Sequence, residues 1–237
     1  MFSTDGVCHT FGKDGDGYVP AEGIGAVLLK PLREAVKDGD RIYAVIKGSA
    51  VNHVGTVSGI SVPSPVAQAD LIEECLDKAG IDPRTVSYIE AHGTGTSLGD
   101  PIEVQGLVKA FRQYTQDKQF CSIGSVKSNI GHAESAAGIS GLSKVALQLH
   151  HKTLVPSLHS EELNPYLDFE QSPFYVQHHT EEWHQPSVTE NGNETVYPRR
   201  AGISSFGATG SNVHLILEEF IPEESQRTAY EPAEEQT

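Results

Sequence analysis

Residues 90–103 read EAHGTGTSLGDPIE, and they decide the fold class because they carry the chain from a strand into a helix. The stretch VSYIE at 86–90 has the pattern of a short buried strand. Asp100 followed by Pro101 predicts a helix start, since aspartate caps free amides and proline is tolerated at the first helical position. A strand, a glycine-rich turn and a helix in succession indicate an α/β domain.

The same alternation continues on both sides of this stretch. Apolar residues recur at helical spacing in residues 68–79, and Gly80 follows as a helix terminator. Residues 133–150 are rich in alanine, glycine and serine, so we expect a central helix buried on several faces. The polar residues 180–197, which hold the single tryptophan, predict a surface loop. Further strands are predicted at residues 24–30, 41–51, 120–126, 200–205 and 213–219.

The composition excludes two classes of protein. Lys and Arg number 17 against 32 Asp and Glu, and this acidic balance argues against nucleic-acid binding, which needs clustered basic residues. No apolar run approaches the ~18 residues of a membrane span, and we find no secretory signal. Three widely spaced cysteines favour a reducing, cytoplasmic compartment. Residues 222–237 predict an acidic linker or disordered tail that follows one unit, residues 1–221.

The glycine-rich loop after the first strand holds a candidate catalytic histidine. His92 stands at the carboxyl end of that strand, where open α/β sheets bind ligands. The glycines allow a ligand to approach the backbone, and Thr94 and Thr96 offer hydroxyl groups. A structural loop with a hydrogen-bonded histidine is the alternative, and a phosphate cradle is a weaker one because no GxGxxG pattern follows.

Two further motifs have the same glycine-rich character. In SVKSNIGHAESAAG at 125–138, a cation at Lys127 would disfavour the imidazolium form of His132, and a neutral imidazole can donate to a developing oxyanion. The alternative is a surface lysine and a helix-capping histidine. In GISSFGATGSNVH at 202–214, the glycine spacing predicts a tight turn whose amides line an oxyanion hole, or simply a hairpin turn.

EAHGTGT, KSNIGH and SSFGATGSN, in this order, resemble the β-ketoacyl synthase (ketosynthase) domains of modular polyketide synthases. The SLGDPIE ending is most similar to the type whose acyltransferase acts in trans. The similarity extends from Phe2 to about Phe220. It implies a thiolase-like fold, of which this chain holds the C-terminal half plus the end of the N-terminal half, and a homodimer in the intact enzyme.

The resemblance also implies a reaction, the decarboxylative Claisen condensation of a malonyl unit with an acyl thioester. His92 and His132 would donate hydrogen bonds to the enolate oxygen, and Lys127 would orient the site and keep His132 neutral. Removing one such preorganised donor costs ~10²–10³ in rate in other enzymes.

The implied substrate contacts involve a carrier rather than a bound cofactor. Thr94 and Thr96 would hydrogen-bond the phosphopantetheine arm of an acyl carrier protein. The amide of Ala208 would supply half of the oxyanion hole for the acyl thioester. No metal and no directly bound cofactor is expected.

Two departures from the family pattern qualify these expectations. The family's nucleophilic cysteine lies in an Ala- and Ser-rich motif upstream, and this motif is not among the 237 residues. We therefore expect the chain by itself to be inactive and to need an N-terminal ketosynthase segment. The alternative is a non-catalytic chain, either a complementing half of a split ketosynthase or an inactive carrier-protein-binding remnant. Thr209 replaces a usual glycine, which would strain the turn if φ were positive there.

Overall fold

Helices and strands alternate along much of the chain in the computed structural model, which describes residues 2–55 and 63–222. The helices are α1 (Leu32–Asp38), α2 (Pro65–Ala79), α3 (Gly99–Phe111), α4 (Lys127–Ile130) and α5 (Ala137–His151), with 3₁₀ turns at Pro83–Thr85 and Glu134–Ala136. The strands are β1 (Val45–His53), β2 (Tyr88–Glu90), β3 (Cys121–Gly124), β4 (Thr153–Leu154), β5 (Phe174–Val176), β6 (Glu181–Glu182), β7 (Ser187–Glu190), β8 (Asn193–Val196), β9 (Arg200–Phe206) and β10 (Ser211–Glu218). The predicted α/β class is confirmed.

The main sheet has the strand order β1-β10-β9-β2-β3-β5. Strands β9, β2, β3 and β5 are parallel, whereas β10 is antiparallel to both of its neighbours, β9 and β1. Glu90 at the end of β2 pairs with Gly124 at the end of β3. The loops that follow these two strands therefore leave the sheet side by side.

Helices α2 and α3 cover one face of the sheet. The Ser64 hydroxyl caps α2 by accepting a hydrogen bond from the Ala67 amide at 3.2 Å, and α2 ends at Gly80, whose φ of 62° favours glycine. Each fully buried leucine or isoleucine stabilises the fold by about 1.5–3 kcal/mol. The largest apolar side chains buried in this layer are Phe11, Leu71, Ile72, Leu76, Ile89, Leu107, Phe111, Ile123, Phe174 and Ile216.

Helix α5 covers the opposite face of the sheet with only one of its own faces. Val145 and Leu149 are buried against β9 and β10, together with Ile203 and Leu217. The other side of α5, with Leu147 half exposed, lines an open apolar groove of ≈ 720 Å³. The helix predicted at 133–150 is confirmed, but its expected burial on several faces is not observed within the described chain.

The strand predicted at residues 24–30 is wrong. These residues form no strand, and Ile24 and Leu28 are almost completely exposed, at 101% and 95% of their reference areas. An apolar run becomes a strand only when a neighbour pairs with it. No strand in the described residues pairs with this run, so it projects beside the groove.

Two other expectations need comment. Residues 180–197 are not simply a surface loop, because they contain β6, β7 and β8, and Trp183 is 1% exposed with its indole N–H donating to the Ser87 hydroxyl at 2.9 Å. The tail predicted at 222–237 lies outside the described residues beyond Pro222. Among the helices that the structure describes, none is long and apolar enough to span a bilayer.

Candidate active site

The two predicted histidines meet at the end of the sheet. His92 lies in the loop after β2, residues 91–98, which we call the His92 loop, and His132 lies in the loop after α4, residues 131–136, the His132 loop. The two imidazole rings are 5.3 Å apart between centroids and nearly perpendicular, at 84°. Phe206 lies 5.6 Å from the ring of His92, and Tyr18 lies 5.0 Å from the ring of His132. The four rings therefore form a continuous row of contacts, Tyr18–His132–His92–Phe206.

Backbone amides fix the same tautomer in both histidines. The Glu134 amide donates to Nδ1 of His132 at 3.0 Å, and the Phe206 amide donates, at a longer 3.4 Å, to Nδ1 of His92. A ring nitrogen that accepts from an N–H cannot itself carry a proton. The proton of each neutral ring is therefore on Nε2, which is free to act as a donor.

Burial and positive charge keep both rings neutral. Burial lowers the pKa of His92 well below its usual value, with contributions from Lys127 and His132. Burial also lowers the pKa of His132, again helped by Lys127 and opposed by Glu134. Both imidazoles are therefore uncharged at neutral pH and can each donate one N–H without bringing a full charge.

Lys127 supplies the positive charge from a buried position. It is 4% exposed, and burial lowers its pKa, whereas Glu90, Glu103 and Asp100 raise it. Within residues 2–55 and 63–222 no hydrogen bond or ion pair of the Lys127 ammonium is found. A buried cation without a direct partner raises the electrostatic potential around both histidines.

The three predicted substrate-binding residues are distributed around the site. The Thr94 and Thr96 hydroxyls are 3.3 Å apart, and the hydroxyl of Thr96 also accepts from the Gly99 amide at 3.1 Å at the start of α3. Ala208 lies exposed in the turn between β9 and β10, two residues beyond Phe206. The strain expected at Thr209 is absent, because the positive φ in this turn, 99°, belongs to Gly210.

An N-terminal stretch, residues 8–21, holds both histidine loops by the backbone. The Gly17 amide donates to the Gly95 carbonyl at 3.1 Å. The His132 amide donates to the Val19 carbonyl at 2.7 Å, and the Ala21 amide donates back to the His132 carbonyl at 2.9 Å. This one segment thus links the two loops and fixes the spacing between them.

Two buried carboxylates on α3 are the functional residues that the sequence analysis missed. The Glu103 carboxylate accepts from the amides of His92 and Gly93 at 2.7 and 2.8 Å. Asp100 accepts from the amides of Phe11 and Gly95 at 2.8 and 3.1 Å, so its side chain turns back to the loop and does not cap α3 as predicted. Acidic residues three apart in the first helical turn after a glycine-rich loop are the signal in the sequence.

A second buried network supports the turn that carries Lys127. Glu90, 2% exposed, accepts from the Val126 amide at 2.6 Å and from the Tyr88 hydroxyl and the Lys144 ammonium, both at 2.8 Å. Lys144 comes from α5 and borders the groove. The end of the sheet that carries the two histidine loops is therefore linked to the helix whose outer face is open.

The three cysteines of the chain are buried, unreactive thiols. Cys8, Cys75 and Cys121 are all free and buried, and burial raises the pKa of each thiol, for Cys75 to about 11. Buried thiols with a raised pKa are poor nucleophiles. The described part of the chain holds no group of three or more His, Cys, Asp or Glu placed to bind a metal ion.

Comparison with known proteins identifies the family. The profile described as "Beta-ketoacyl synthase, C-terminal domain" matches residues 43–161, and that of the N-terminal domain matches residues 1–35. The polyketide synthase PksL of Bacillus subtilis (strain 168) is 85% identical over 227 residues, which are 96% of this chain and 5% of that protein. PksM of the same strain is 80% identical over 225 residues, 95% of this chain and 5% of that protein.

Solved structures give the same result for the fold. The ketosynthase from module 6 of the bacillaene synthase from Bacillus subtilis 168 matches with a TM-score of 0.87 and 47% identity, over 94% of this chain and 38% of that one. An oxazolomycin ketosynthase domain from Streptomyces albus matches with a TM-score of 0.89 and 55% identity, over 94% and 39%. The thiolase-like fold is confirmed. The chain spans about 5% of the curated relatives and 38% of the solved ketosynthase, and it belongs to the β-ketoacyl synthase family.

Proposed function

We propose that this chain supplies the enolate-stabilising part of a polyketide ketosynthase, which joins two thioesters by decarboxylative Claisen condensation. A malonyl thioester loses CO2, and the electron pair of the broken C–C bond becomes an enolate. The enolate carbon attacks the acyl thioester carried by a cysteine, the new C–C bond forms, and the cysteine sulfur leaves. These two steps need hydrogen-bond donors for a developing negative oxygen.

The observation that carries the proposal is the pair of neutral Nε2–H donors at His92 and His132. The centroids of their rings are 5.3 Å apart, which supports a role for both at one substrate oxygen. Neutral imidazoles suit this task because they stabilise charge as it develops without pairing with a carboxylate in the ground state. Burial, helped by the positive charge of Lys127, keeps them neutral, and Lys127, buried without a direct partner among the described residues, favours negative charge in the site.

The remaining predicted residues, Thr94, Thr96 and Ala208, have proposed roles in binding the substrates. The Thr94 and Thr96 hydroxyls lie next to His92 along the loop and suit the amide groups of a phosphopantetheine arm on an acyl carrier protein. The amide of Ala208 supplies half of an oxyanion hole for the acyl thioester. The acidic balance and the free buried cysteines support a cytoplasmic location.

The open groove beside α5 is evidence for the binding of a partner segment. This partner is the N-terminal part of a ketosynthase, which carries the nucleophilic cysteine. Ile24 and Leu147 line this groove and are exposed. Large exposed apolar surfaces of this kind mark interaction sites. The partner would complete the core, bring the cysteine to the histidines, and contribute to a homodimer in the intact enzyme.

The test uses the complete ketosynthase domain, in which this chain is joined to its cysteine-bearing segment. We expect His92→Ala and His132→Ala each to lower malonyl decarboxylation by about 10²–10³, because each removes one oxyanion donor. Acylation of the cysteine does not pass through the enolate and should change little. Normal decarboxylation in either variant would remove that histidine from its proposed role.

A second experiment separates the catalytic proposal from the carrier-binding alternative. We expect this chain alone to form no carrier-bound product from an acyl thioester and malonyl carrier protein, and co-expression with the cysteine-bearing segment to restore condensation. Carrier binding without any condensation in the reconstituted pair would instead favour the inactive remnant. The complete set of His92, Lys127 and His132 favours the catalytic outcome.

A further inference from the structure

Glu90 joins three parts of the molecule inside the core. It is the last residue of β2 and is 2% exposed. Its Oε2 accepts from the Tyr88 hydroxyl and from the Lys144 ammonium of α5, both at 2.8 Å. Its Oε1 accepts from the Val126 amide at 2.6 Å, just before Lys127. A strand, a helix and the turn that carries Lys127 are therefore joined at one carboxylate.

The two oxygens of this carboxylate have different partners. The Tyr88 hydroxyl and the Lys144 ammonium fix its orientation, because both bond to Oε2 and the ammonium also donates to the hydroxyl at 2.7 Å. Oε1 is then directed at the amide of Val126, which immediately precedes α4. Helix α4 has only four residues, so this bond at its start holds the turn against the end of β2.

The surrounding core has the shape of this network. A Cβ at Gly141 of α5 would lie 3.2 Å from Cγ of Glu90, and a Cβ at Gly124 of β3 would lie 3.0 Å from the Tyr88 hydroxyl. Both distances are shorter than ordinary contacts, so a side chain at either glycine would push the network apart. The Lys144 side chain is only 8% exposed. The three side chains are therefore confined to one arrangement.

The charge of Glu90 also acts on Lys127. Burial lowers the pKa of Lys127, and among the carboxylates that oppose this Glu90 has the largest effect. A buried cation without a direct partner keeps its proton only where nearby negative charge compensates for the loss of water. The other groups that face Lys127 are Glu103 and Asp100 of α3, Cys8 of the N-terminal stretch, His92 and His132.

We propose that Glu90 is a positioning residue for Lys127, which holds the lysine and its charge beside the two histidines of the site. This role rests on the proposed function of Lys127. Glu90 makes no hydrogen bond or ion pair with the Lys127 ammonium in the described part of the chain, and it acts through the Val126 amide and through its charge. Lys144 belongs to the same unit, because a carboxylate buried this deeply needs a paired cation.

The test uses the complete ketosynthase domain, because Lys144 borders the groove that the proposed partner segment covers. We expect Glu90→Leu to lower malonyl decarboxylation about tenfold to a hundredfold, the size of loss that a misplacement near 1 Å produces. The alkaline limb of the pH profile should also move to lower pH by about one pH unit, because loss of a nearby negative charge lowers the pKa of Lys127. In a Lys127→Met background the same change should have neither effect.

A combined variant separates positioning from folding. In Glu90→Leu the Lys144 ammonium loses its anion, and a buried cation without its partner destabilises the fold. Glu90→Leu together with Lys144→Met replaces the pair by two apolar side chains of similar size, and much of the thermal stability should return. The rate should stay low, since Glu90 is still missing. A rate that returns to the parent value together with stability would make Glu90 only structural and overturn the inference. The combined variant also serves if Glu90→Leu does not fold.

Glu219→Gln is the matched control. Glu219 is also a buried carboxylate, 7% exposed, and it accepts from the guanidinium and the amide of Arg199 at 2.7 and 2.8 Å. It lies beside the start of β9, at the opposite end of that strand from Phe206. Its loss should lower stability and leave the alkaline limb in place. A limb that moves equally in this variant would show an unspecific effect and would also overturn the inference.

The outcomes distinguish this inference from the proposed function. If Lys127→Met leaves decarboxylation unchanged, the proposed role of Lys127 fails, and this role falls with it. If Lys127→Met lowers decarboxylation but Glu90→Leu changes neither the rate nor the alkaline limb, only the inference about Glu90 fails. A loss of rate and a displaced limb that both require Lys127 support the inference.

Discussion

The His92 loop and the His132 loop present the same chemical group and are held in different ways. Carboxylates from one helix hold the first, through Glu103 and Asp100. The His132 loop is held by backbone hydrogen bonds to residues 19 and 21, and its shape depends on positive φ angles of 78° at Gly131 and 48° at Glu134. Both histidines therefore have the same tautomer and the same neutral charge, although carboxylates hold the loop of one and backbone conformation holds the loop of the other. The first should be sensitive to charge and the second to backbone shape.

Gly131→Val should give the largest effect, because it attacks the conformational support directly. A Cβ at this position would lie 2.9 Å from the Val19 carbonyl oxygen, and a β-branched residue strongly disfavours positive φ. We expect decarboxylation by the complete domain to fall by about 10² or more, measured as CO2 release from malonyl carrier protein.

Gly80→Ala is the control for this change. Gly80 has a comparable φ of 62°, and a methyl group added there would have no atom within 4 Å, so the variant carries torsional strain without a clash and lies away from the site. It should cost about 1 kcal/mol of folding free energy and leave the rate unchanged. An active Gly131→Val enzyme would show that the His132 loop tolerates displacement.

Substitution at Glu134 tests the conformational support of the His132 loop more finely. The Glu134 amide fixes the His132 tautomer, and its left-handed backbone sets the direction of that amide. Glu134→Gly should therefore keep the rate within a small factor, whereas Glu134→Val, which removes the same charge, should lower it about tenfold. Equal rates for the two variants would mean that the backbone conformation of Glu134 is unimportant. Steady-state decarboxylation rates with thermal melts decide this.

Thr10→Val probes the contact between the N-terminal stretch and the His92 loop. The buried Thr10 hydroxyl donates to the Gly93 carbonyl at 2.8 Å, and valine keeps the shape while removing the donor. We expect a loss of about 1 kcal/mol in unfolding free energy and a rate reduction of less than about tenfold. A larger loss of rate than of stability would make Thr10 part of the positioning system, and chemical denaturation beside kinetics tests this.

The smallest expected effect is on the pH dependence of the unfolding free energy, to which the Glu103 carboxylate that holds the His92 loop contributes. Burial raises the pKa of Glu103 to about 7, so the folded state binds the proton more readily than the unfolded state, and acidification through this range stabilises the fold. His92, His132 and His214 act oppositely, because burial lowers the pKa of each, for His214 to about 3. Lowering the pH from about 7.5 to about 6 therefore sets these contributions against each other.

Glu103→Gln removes the larger stabilising contribution and leaves the smaller one of Asp100, whose pKa burial raises to about 6. Its unfolding free energy should fall more steeply than that of the parent domain over the same range, by on the order of 1 kcal/mol. Asp100 and Lys127, the charged neighbours of Glu103, remain in both proteins. Parallel pH profiles of stability would contradict a buried carboxyl that titrates near neutrality.

The sequence predicted those parts of the fold that depend on local pattern. Helix α2 and the pair β9 and β10 followed from periodicity and glycine-rich turns. The prediction of a strand at residues 24–30 was wrong, because an apolar run does not show whether another strand pairs with it. His92 and His132 could be predicted because each lies in a loop that follows a strand and because the motifs around them resemble those of ketosynthases. Glu103 was missed, because the acidic pair at the start of α3 is its only signal and no periodic pattern shows that the loop turns two amides toward it.

The strand order has a consequence for synthesis of the chain. The last two long strands, β9 and β10, occupy the middle of the main sheet and separate β1 from β2. During translation β1 therefore waits for a partner that is made about 160 residues later, with Ala50 finally pairing with His214. Such distant pairing is slow to form. Phe206, whose amide holds the His92 ring, arrives in the same late step, so a prematurely ended chain cannot assemble the site.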